Sequence, residues 1–393
     1  MQSKKTLNLL FILILMIPFS SCKNAATGEE NIPYERTIPL TLEAIEDGKI
    51  TISNTSRTVV WYTLDNDETR SYAQSSGSVY IYVYAGEKVS FFANISETWG
   101  GQSNTDYINI NCSADCYVYG NIMSLFCENF KSAKSLENSA YTFTSLFEGN
   151  KHIKNHSQKK LCLPATRLEE RCYYRMFYGC SSLTSAPELP ATNLTEKFEC
   201  YREMFSGCTS LTTAPILPAK KLCISCYRGM FSGCTSLTTA PELPATTLEG
   251  YCYERMFWEC SSLINSPTLP ATILAYGCYL NMFFRCKSLI TAPILPATKL
   301  EERCYEGMFY DCPALRNAPD LLATQLKKDC YKEMFCDCKL INYLKCLGLH
   351  PSEEENVYRI LSGCSSTGTL VKDKRVTWPD GSLPSGWTIV DEQ

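Results

Sequence analysis

Histidine is scarce in this 393-residue chain, which has only His152, His156 and His350. None of the three stands with Ser, Cys or Asp residues in a pattern that the sequence identifies as catalytic. Nucleophilic or acid–base catalysis needs such a grouping within hydrogen-bond reach. We therefore expect the protein not to be an enzyme and to use no cofactor.

The chain also has no excess of basic residues. Its N-terminal segment contains Lys4 and Lys5, and without them 35 Lys and Arg (37 − 2) stand against 41 Asp and Glu. A nucleic-acid partner requires a basic surface that neutralises phosphates. The charge balance therefore argues against nucleic acid and favours no other ligand.

Long apolar runs are absent except at the start of the chain. Residues 7–19 are almost wholly apolar, follow Lys4 and Lys5, and lead to Ser20, Ser21 and Cys22. Such a segment is typical of a secretory signal and is too short for a membrane span. Small residues directly before a cysteine resemble the lipobox of bacterial lipoproteins. We therefore predict lipidation at Cys22, with an ordinary signal peptide as the alternative, and membrane contact only through this N-terminal lipid.

Composition and patterning predict five segments. They are a lipoprotein signal peptide (1–22), a flexible tether (23–36), a β-sandwich-like accessory domain (37–128), a repeat solenoid with a divergent first repeat (129–347) and a C-terminal cap (348–393). The sandwich is predicted from short β-branched and aromatic runs between turn signals. Tyr80, Tyr82 and Tyr84 share one face of a predicted strand. We interpret this stripe as half-buried sheet surface, and a sugar-stacking platform is the alternative.

One repeated phrase, with Cys-Tyr followed by Met-Phe and a second Cys, dominates the rest of the chain. The first step between its Met positions is 204 − 176 = 28, and each of the five later steps is 26. These positions are Met176, Met204, Met230, Met256, Met282, Met308 and Met334. A fixed period in the range of about 20–29 residues is typical of leucine-rich-repeat solenoids. Repeat solenoids more often bind partners than catalyse reactions.

Each repeat is predicted to contain one helix and one short strand. Leu248, Cys252, Met256 and Cys260 recur at every fourth position, a spacing that indicates one apolar helix face. Thr246 and Glu249 form a capping-box pattern before it. Gly residues stand where the helix would end with a left-handed cap, at Gly179, Gly207 and Gly233. The predicted fold class is therefore an α/β solenoid of helix–strand repeats that follows a small all-β domain. After the last copy the repeat frame is expected to end.

The chain is rich in cysteine, with a total of 23. Two columns account for most of them, one at the Cys-Tyr position and one eight positions later in each copy. Eight residues of helix span about 12 Å. This separation of the α-carbons is too large for a disulfide between the two cysteines of one copy. We expect buried free thiols in both columns. Cys223 and Cys226 form a single C-x-x-C pair without a second pair at zinc spacing, so no metal site is predicted.

The repeat resembles a known family. Leu-Pro-Ala-Thr followed by Cys-Tyr-x-x-Met-Phe-x-Gly-Cys-x-Ser-Leu is similar to the BspA-like leucine-rich repeat of Bacteroidetes surface proteins. This resemblance implies a surface-exposed lipoprotein, with adhesion or matrix-protein binding attributed to some members. It implies no catalytic residues, and it does not identify the ligand.

Residues that follow each Ser-Leu differ between copies and make the candidate binding surface, which we call the strand face. It comprises three rows: Thr184, Thr212, Thr238, Ile264, Ile290 and Arg316; Ser185, Thr213, Thr239, Asn265, Thr291 and Asn317; and Glu188, Ile216, Glu242, Thr268, Ile294 and Asp320. All members except the four Ile are the candidate binding residues. Which alternate positions point outward is open by one residue.

These observations predict an outer-membrane, lipid-anchored, cell-surface protein. Its solenoid is expected to bind an extracellular or host protein or a glycan. The alternative is a structural or assembly component of the outer envelope that contacts other membrane proteins.

Overall fold

A computed structural model of the chain describes residues 32–56, 58–65, 71–73, 77–93, 107–195, 197–351, 355–379 and 382–392. From Ile32 onward these residues belong to one compact unit. Cys22 and the predicted signal peptide lie outside the described residues, as does most of the predicted tether. The boundaries of the signal peptide and of the tether therefore stay predictions.

Helix is rare in the described chain. One α-helix, α1, covers Tyr34–Thr37, and one 3₁₀ turn covers Ile122–Leu125. Neither of these described helices has the length or the apolar composition needed to cross a membrane.

Eight strands precede the repeats in the described part of the chain. They are β1 (Leu40–Ala44), β2 (Gly48–Asn54), β3 (Val60–Leu64), β4 (Ser71–Ala73), β5 (Gly77–Val83), β6 (Lys88–Ala93), β7 (Ile108–Cys112) and β8 (Cys116–Asn121). One sheet has the antiparallel order β8-β1-β6-β3-β4, and the other has the order β5-β2-β7. Alternation follows from the two-residue period of a strand: Ile50, Ile52 and Ile81 are buried, whereas Tyr80 and Tyr82 are exposed.

The first sheet continues into the repeats. Strands β9 (Ile153–Asn155) and β10 (Leu161–Cys162) both pair in parallel with β8. The second sheet also contacts the first repeat, because Asn109 Nδ2 donates to the carbonyl oxygens of Ser145 and Glu148, at 2.9 and 3.0 Å. The sheets and the solenoid are therefore joined through hydrogen bonds to the backbone.

The predicted α/β solenoid of helix–strand repeats is wrong, because the segment predicted as a helix in each repeat has another conformation. Residues 251–259 and their equivalents form a series of turns, with positive φ at Tyr251 (57°), Arg255 (54°) and Glu259 (58°). A right-handed helix excludes positive φ. Thr246 and Glu249 therefore cap no helix. The left-handed φ predicted at Gly179, Gly207 and Gly233 is present (71°, 74° and 71°), but as the last member of this series.

Each such series, which we call a turn ladder, alternates two kinds of backbone hydrogen bond. Tyr253 and Phe257 N–H donate to Cys278 and Met282 in the next repeat, at 3.0 and 2.9 Å. Arg255 N–H, between them, also donates to the next repeat, at Leu280 O. The N–H groups at the alternate positions donate three positions back, as Met256 N–H does to Tyr253 O at 3.2 Å. Half of the N–H groups in a turn ladder therefore bond only when the next coil is stacked on it.

The four-residue spacing explains the wrong prediction. Four residues of α-helix turn through about 400°, so residues at strict four-residue steps drift by about 40° per step. A turn ladder repeats at every fourth position without drift. Leu248, Cys252, Met256 and Cys260 are all buried at 0–2 % exposure, as that period requires. The predicted strand is also absent from these described repeats, and single parallel bridges such as Thr239 to Asn265 stand in its place.

Two aromatic columns run through the core. Neighbouring tyrosine rings are nearly parallel with centroids 5.6–6.0 Å apart from Tyr173 to Tyr331. Phenylalanine rings stack in the same way, 5.4–5.9 Å apart from Phe177 to Phe335. Offset stacking of this kind adds to the burial of apolar area. The columns therefore reinforce the hydrogen bonds between coils.

The coil continues beyond the predicted end of the frame. Positive φ recurs at Glu355, Arg359 and Gly363, and Phe335 N–H donates to Ile360 at 3.0 Å. Ile360 stands one repeat length after Met334 (360 − 334 = 26), so aliphatic residues replace Met and Phe in this copy. Tyr141, Ser145 and Gly149 make the corresponding turn ladder of the divergent first repeat. The described chain thus has nine coils.

Three parallel strands complete the described fold in the order β11 (Tyr343–Cys346), β12 (Thr367–Lys372) and β13 (Gly386–Asp391). Tyr343 stands one repeat length after Asn317 of the strand face (343 − 317 = 26) and pairs with Thr369. The bridge positions of the repeats therefore widen here into a regular sheet.

We predict that Tyr201→Phe raises the free energy of unfolding. The Tyr201 hydroxyl is buried without a hydrogen-bond partner among the described residues, and an unsatisfied buried donor costs about 1–3 kcal/mol. Urea unfolding followed by circular dichroism measures the change. Tyr276→Phe is the control, because Arg303 donates to its hydroxyl and no gain is expected. A less stable Tyr201→Phe protein would contradict the prediction.

Candidate binding surface

The three rows of the strand face lie along neighbouring coils. In the first row Thr212 N–H donates to Thr184 O at 3.0 Å, and Ile290 N–H donates to Ile264 O at 2.9 Å. In the second row Asn265 forms parallel bridges with Thr239 and Thr291. The backbone thus fixes the spacing of these side chains while their identities vary.

The predicted binding residues lie on the surface of the protein. All of them are exposed except Ser185, which is half-buried. The uncertainty of one residue in the outward direction is resolved, because the flanking Leu positions, such as Leu263 and Leu269, are buried at 0 and 4 % exposure. Exposure does not test binding, which stays a prediction for each of these residues.

The isoleucines of the strand face were not among the predicted binding residues. Ile216 is 81 % exposed and Ile294 is 84 % exposed, both in the third row. Their sequence signal is the replacement of Glu or Thr at the same position of other copies. An exposed aliphatic side chain gains free energy when a partner buries it.

Polar contacts on the strand face are few and local. Thr268 Oγ1 donates to Glu242 Oε2 at 3.0 Å, and Thr291 Oγ1 contacts Asn265 Oδ1 at 3.4 Å. The rows carry four charged side chains, Glu188, Glu242, Arg316 and Asp320. This surface mixes hydroxyl, amide and aliphatic groups and offers a partner little net charge.

Outward side chains of the turn ladders are engaged with one another. Arg228 Nε lies 2.9 Å from Glu254 Oε2, and the Glu254 side chain is only 3 % exposed. Burial raises the pKa of Glu254, and the charges of Arg228 and Arg255 oppose that effect. The Phe284 ring is stacked between Trp258 at 3.9 Å and Tyr310 at 4.8 Å. These groups join coils and leave few ring faces for a ligand.

The tyrosine stripe of the sandwich is not half-buried, so the favoured interpretation of it is wrong. Tyr80, Tyr82 and Tyr84 are 56, 76 and 69 % exposed. They form a second surface with no partner side chain packed over it in the described chain, apart from Lys49 Nζ, 4.7 Å from the centre of the Tyr80 ring.

Both cysteine columns consist of buried free thiols. In the second column each Sγ donates to the Phe carbonyl of the preceding coil, as Cys260 does to Phe231 at 3.0 Å. Burial raises the pKa of Cys208 and Cys312 to about 12. Among the described residues, no group of three or more His, Cys, Asp or Glu side chains is arranged to hold a metal ion. The thiols of this column thus join coils as weak donors.

Comparison with known proteins adds little. No family model matches the chain, and no curated protein matches it. One solved structure is similar, a leucine-rich repeat protein from Bacteroides ovatus, with 14 % identity over 76 % of this chain and 98 % of that chain and a TM-score of 0.19. That protein is of the repeat class that the sequence resemblance implies, but a TM-score this low carries no argument about fold or function.

We predict that the column cysteines resist alkylation in the folded protein and all react after denaturation without reductant. Burial keeps the reagent away from these thiols, and the raised pKa of Cys208 and Cys312 also suppresses their reactive thiolate. Iodoacetamide labelling followed by peptide mass spectrometry measures each site. Cys162 serves as the internal control that reacts first, because it is only half-buried, although burial raises its pKa to about 11 as well. Column cysteines that label only after reduction would show disulfides and contradict the prediction.

Proposed function

We propose that this chain is a lipid-anchored surface protein whose strand face binds an extracellular protein or glycan. The observation that supports this proposal is the row of exposed Ile, Thr and Asn side chains on a backbone held in register from coil to coil. Ile216 and Ile294, 81 and 84 % exposed, stand at the positions where a partner would gain most from burial.

A rigid surface favours binding for a second reason. Buried columns and turn ladders hold each coil against the next, so the strand face loses little conformational entropy when a partner binds. Side chains at its row positions change between copies without disturbing the core. The repeat therefore provides one scaffold on which a recognition surface is assembled from variable residues.

We predict that the double variant Thr239→Lys/Glu242→Lys binds its ligand with at least tenfold lower affinity than the native protein. It places two long cationic side chains in the middle of the strand face, where both positions are exposed. Binding to an array of immobilised extracellular proteins and glycans is the measurement. Thr298→Lys/Glu301→Lys makes the same charge change at exposed positions outside the strand face and should bind as the native protein does.

Equal binding by the two double variants would refute the strand face as the binding surface. A photoreactive residue at Ile216 in intact cells tests the alternative, an assembly role in the envelope. Cross-links to proteins of the same cell envelope, without cross-links to added extracellular ligands, would favour that alternative.

We predict that Cys22→Ala abolishes attachment of fatty acid. Lipidation of an N-terminal cysteine is the step that would hold the protein on the membrane, since the apolar residues 7–19 form only a signal. Incorporation of labelled palmitate in cells is the measurement, with Cys127→Ala as the control that keeps its label. Persistent labelling of the Cys22→Ala protein would refute the anchor.

A further inference from the structure

The outer face of the sheet β5-β2-β7 carries exposed tyrosine rings among small polar side chains. Register places three cross-strand rows on it: Tyr82, Lys49 and Ser113; Tyr80, Thr51 and Asn111; Ser78, Ser53 and Asn109. None of these side chains is buried, whereas Ile50, Ile52 and Ile81 on the other face are 0, 0 and 6 % exposed. We call this surface the sandwich face, together with Tyr84 beyond the end of β5.

Aromatic rings are the only large apolar groups on the described sandwich face. Tyr82 is 76 % exposed, although tyrosine is a residue type of intermediate burial. Hydroxyl and amide side chains fill the positions beside the rings, and the rows contain no aliphatic residue. The Asn109 amide is already hydrogen-bonded to the carbonyl oxygens of Ser145 and Glu148 in the first coil, so the Ser, Thr and Asn111 side chains are the polar groups left for a ligand. A protein interface has a desolvated core of aromatic and aliphatic groups, which this surface does not provide.

Charge narrows the class of ligand further. Lys49 is the single charged residue of the rows, and its ammonium lies 4.7 Å from the Tyr80 ring centroid, where the ring partly satisfies it. An anionic polymer would need several such groups. A neutral ligand with flat apolar faces and a hydroxyl rim matches both the rings and the Ser, Thr and Asn side chains.

The length of the stripe indicates a chain-like ligand. Alternate residues of a strand are separated by about 7 Å, so Tyr80 and Tyr82 are about that far apart along β5, and Tyr84 extends the stripe one residue beyond the end of β5. A single sugar covers one ring, so all three rings are used only by consecutive units of an oligosaccharide. We propose that the sandwich face binds a neutral polysaccharide by stacking pyranose rings on Tyr80, Tyr82 and Tyr84. This site is separate from the strand face.

Affinity gel electrophoresis of the purified full-length chain tests the proposal. The gels contain amylose, hydroxyethyl cellulose, xyloglucan or galactomannan, with polygalacturonate as the anionic comparison. At least one neutral polymer should retard the protein, and its oligosaccharides should compete better as they lengthen from one to three units. Tyr82→Ala should weaken retardation at least tenfold, and Tyr82→Phe should keep most of it.

Tyr358→Ala is the matched control, because Tyr358 is 51 % exposed and lies in the last turn ladder. It should bind as the native protein does, and thermal melting should show that all variants are folded. No retardation by any neutral polymer, retardation by polygalacturonate alone, or undiminished binding by Tyr82→Ala would each overturn the proposal. Binding lost only in Thr239→Lys/Glu242→Lys would overturn it as well and would place the glycan on the strand face.

Discussion

Backbone hydrogen bonding between coils is the constraint on which the rest of the fold depends. In each turn ladder every second N–H group, such as that of Tyr253, reaches a carbonyl of the next coil. Buried N–H groups without partners are costly, so an isolated coil would be unstable. Positive φ at residues such as Arg255 adds a cost of about 1–2 kcal/mol each. Stacking offsets both costs, which is why the repeats are stable only as an array.

This constraint divides the residues of a repeat into two groups. Cys, Tyr, Met and Phe point into the stack, where a buried thiol such as that of Cys260 supplies a further donor to the preceding coil. Their recurrence reflects packing and backbone satisfaction. Side chains of the strand face are not needed for core packing or for the backbone hydrogen bonds between coils, because the bridges involve only the backbone of these residues. Variation there leaves the scaffold intact.

The chain thus presents two surfaces of different chemistry on one compact unit. The strand face combines exposed Ile with Thr and Asn, and the sandwich face combines exposed Tyr with Thr, Ser and Asn. Asn109 joins the sheet of the sandwich face to the first coil, since it lies on β7 and donates to the carbonyl oxygens of Ser145 and Glu148. A ligand held by one surface would be presented at a fixed distance from the other.

The sequence by itself determined the repeat, its fixed step, the buried columns and the positions that vary, because these depend on the pattern of apolar residues alone. The local conformation predicted from the sequence was wrong. A four-residue spacing matches one face of a helix only approximately, whereas it matches a turn ladder without drift. This spacing is that of Leu248, Cys252, Met256 and Cys260.

The repeat pattern also did not predict the last coil, because Ile360 and Leu361 replace Met and Phe there. Only the tertiary structure decided between helix and turn, because the choice depends on N–H partners in a neighbouring coil. For the same reason only the tertiary structure showed that Tyr80, Tyr82 and Tyr84 are exposed, since burial is decided by what packs against a sheet.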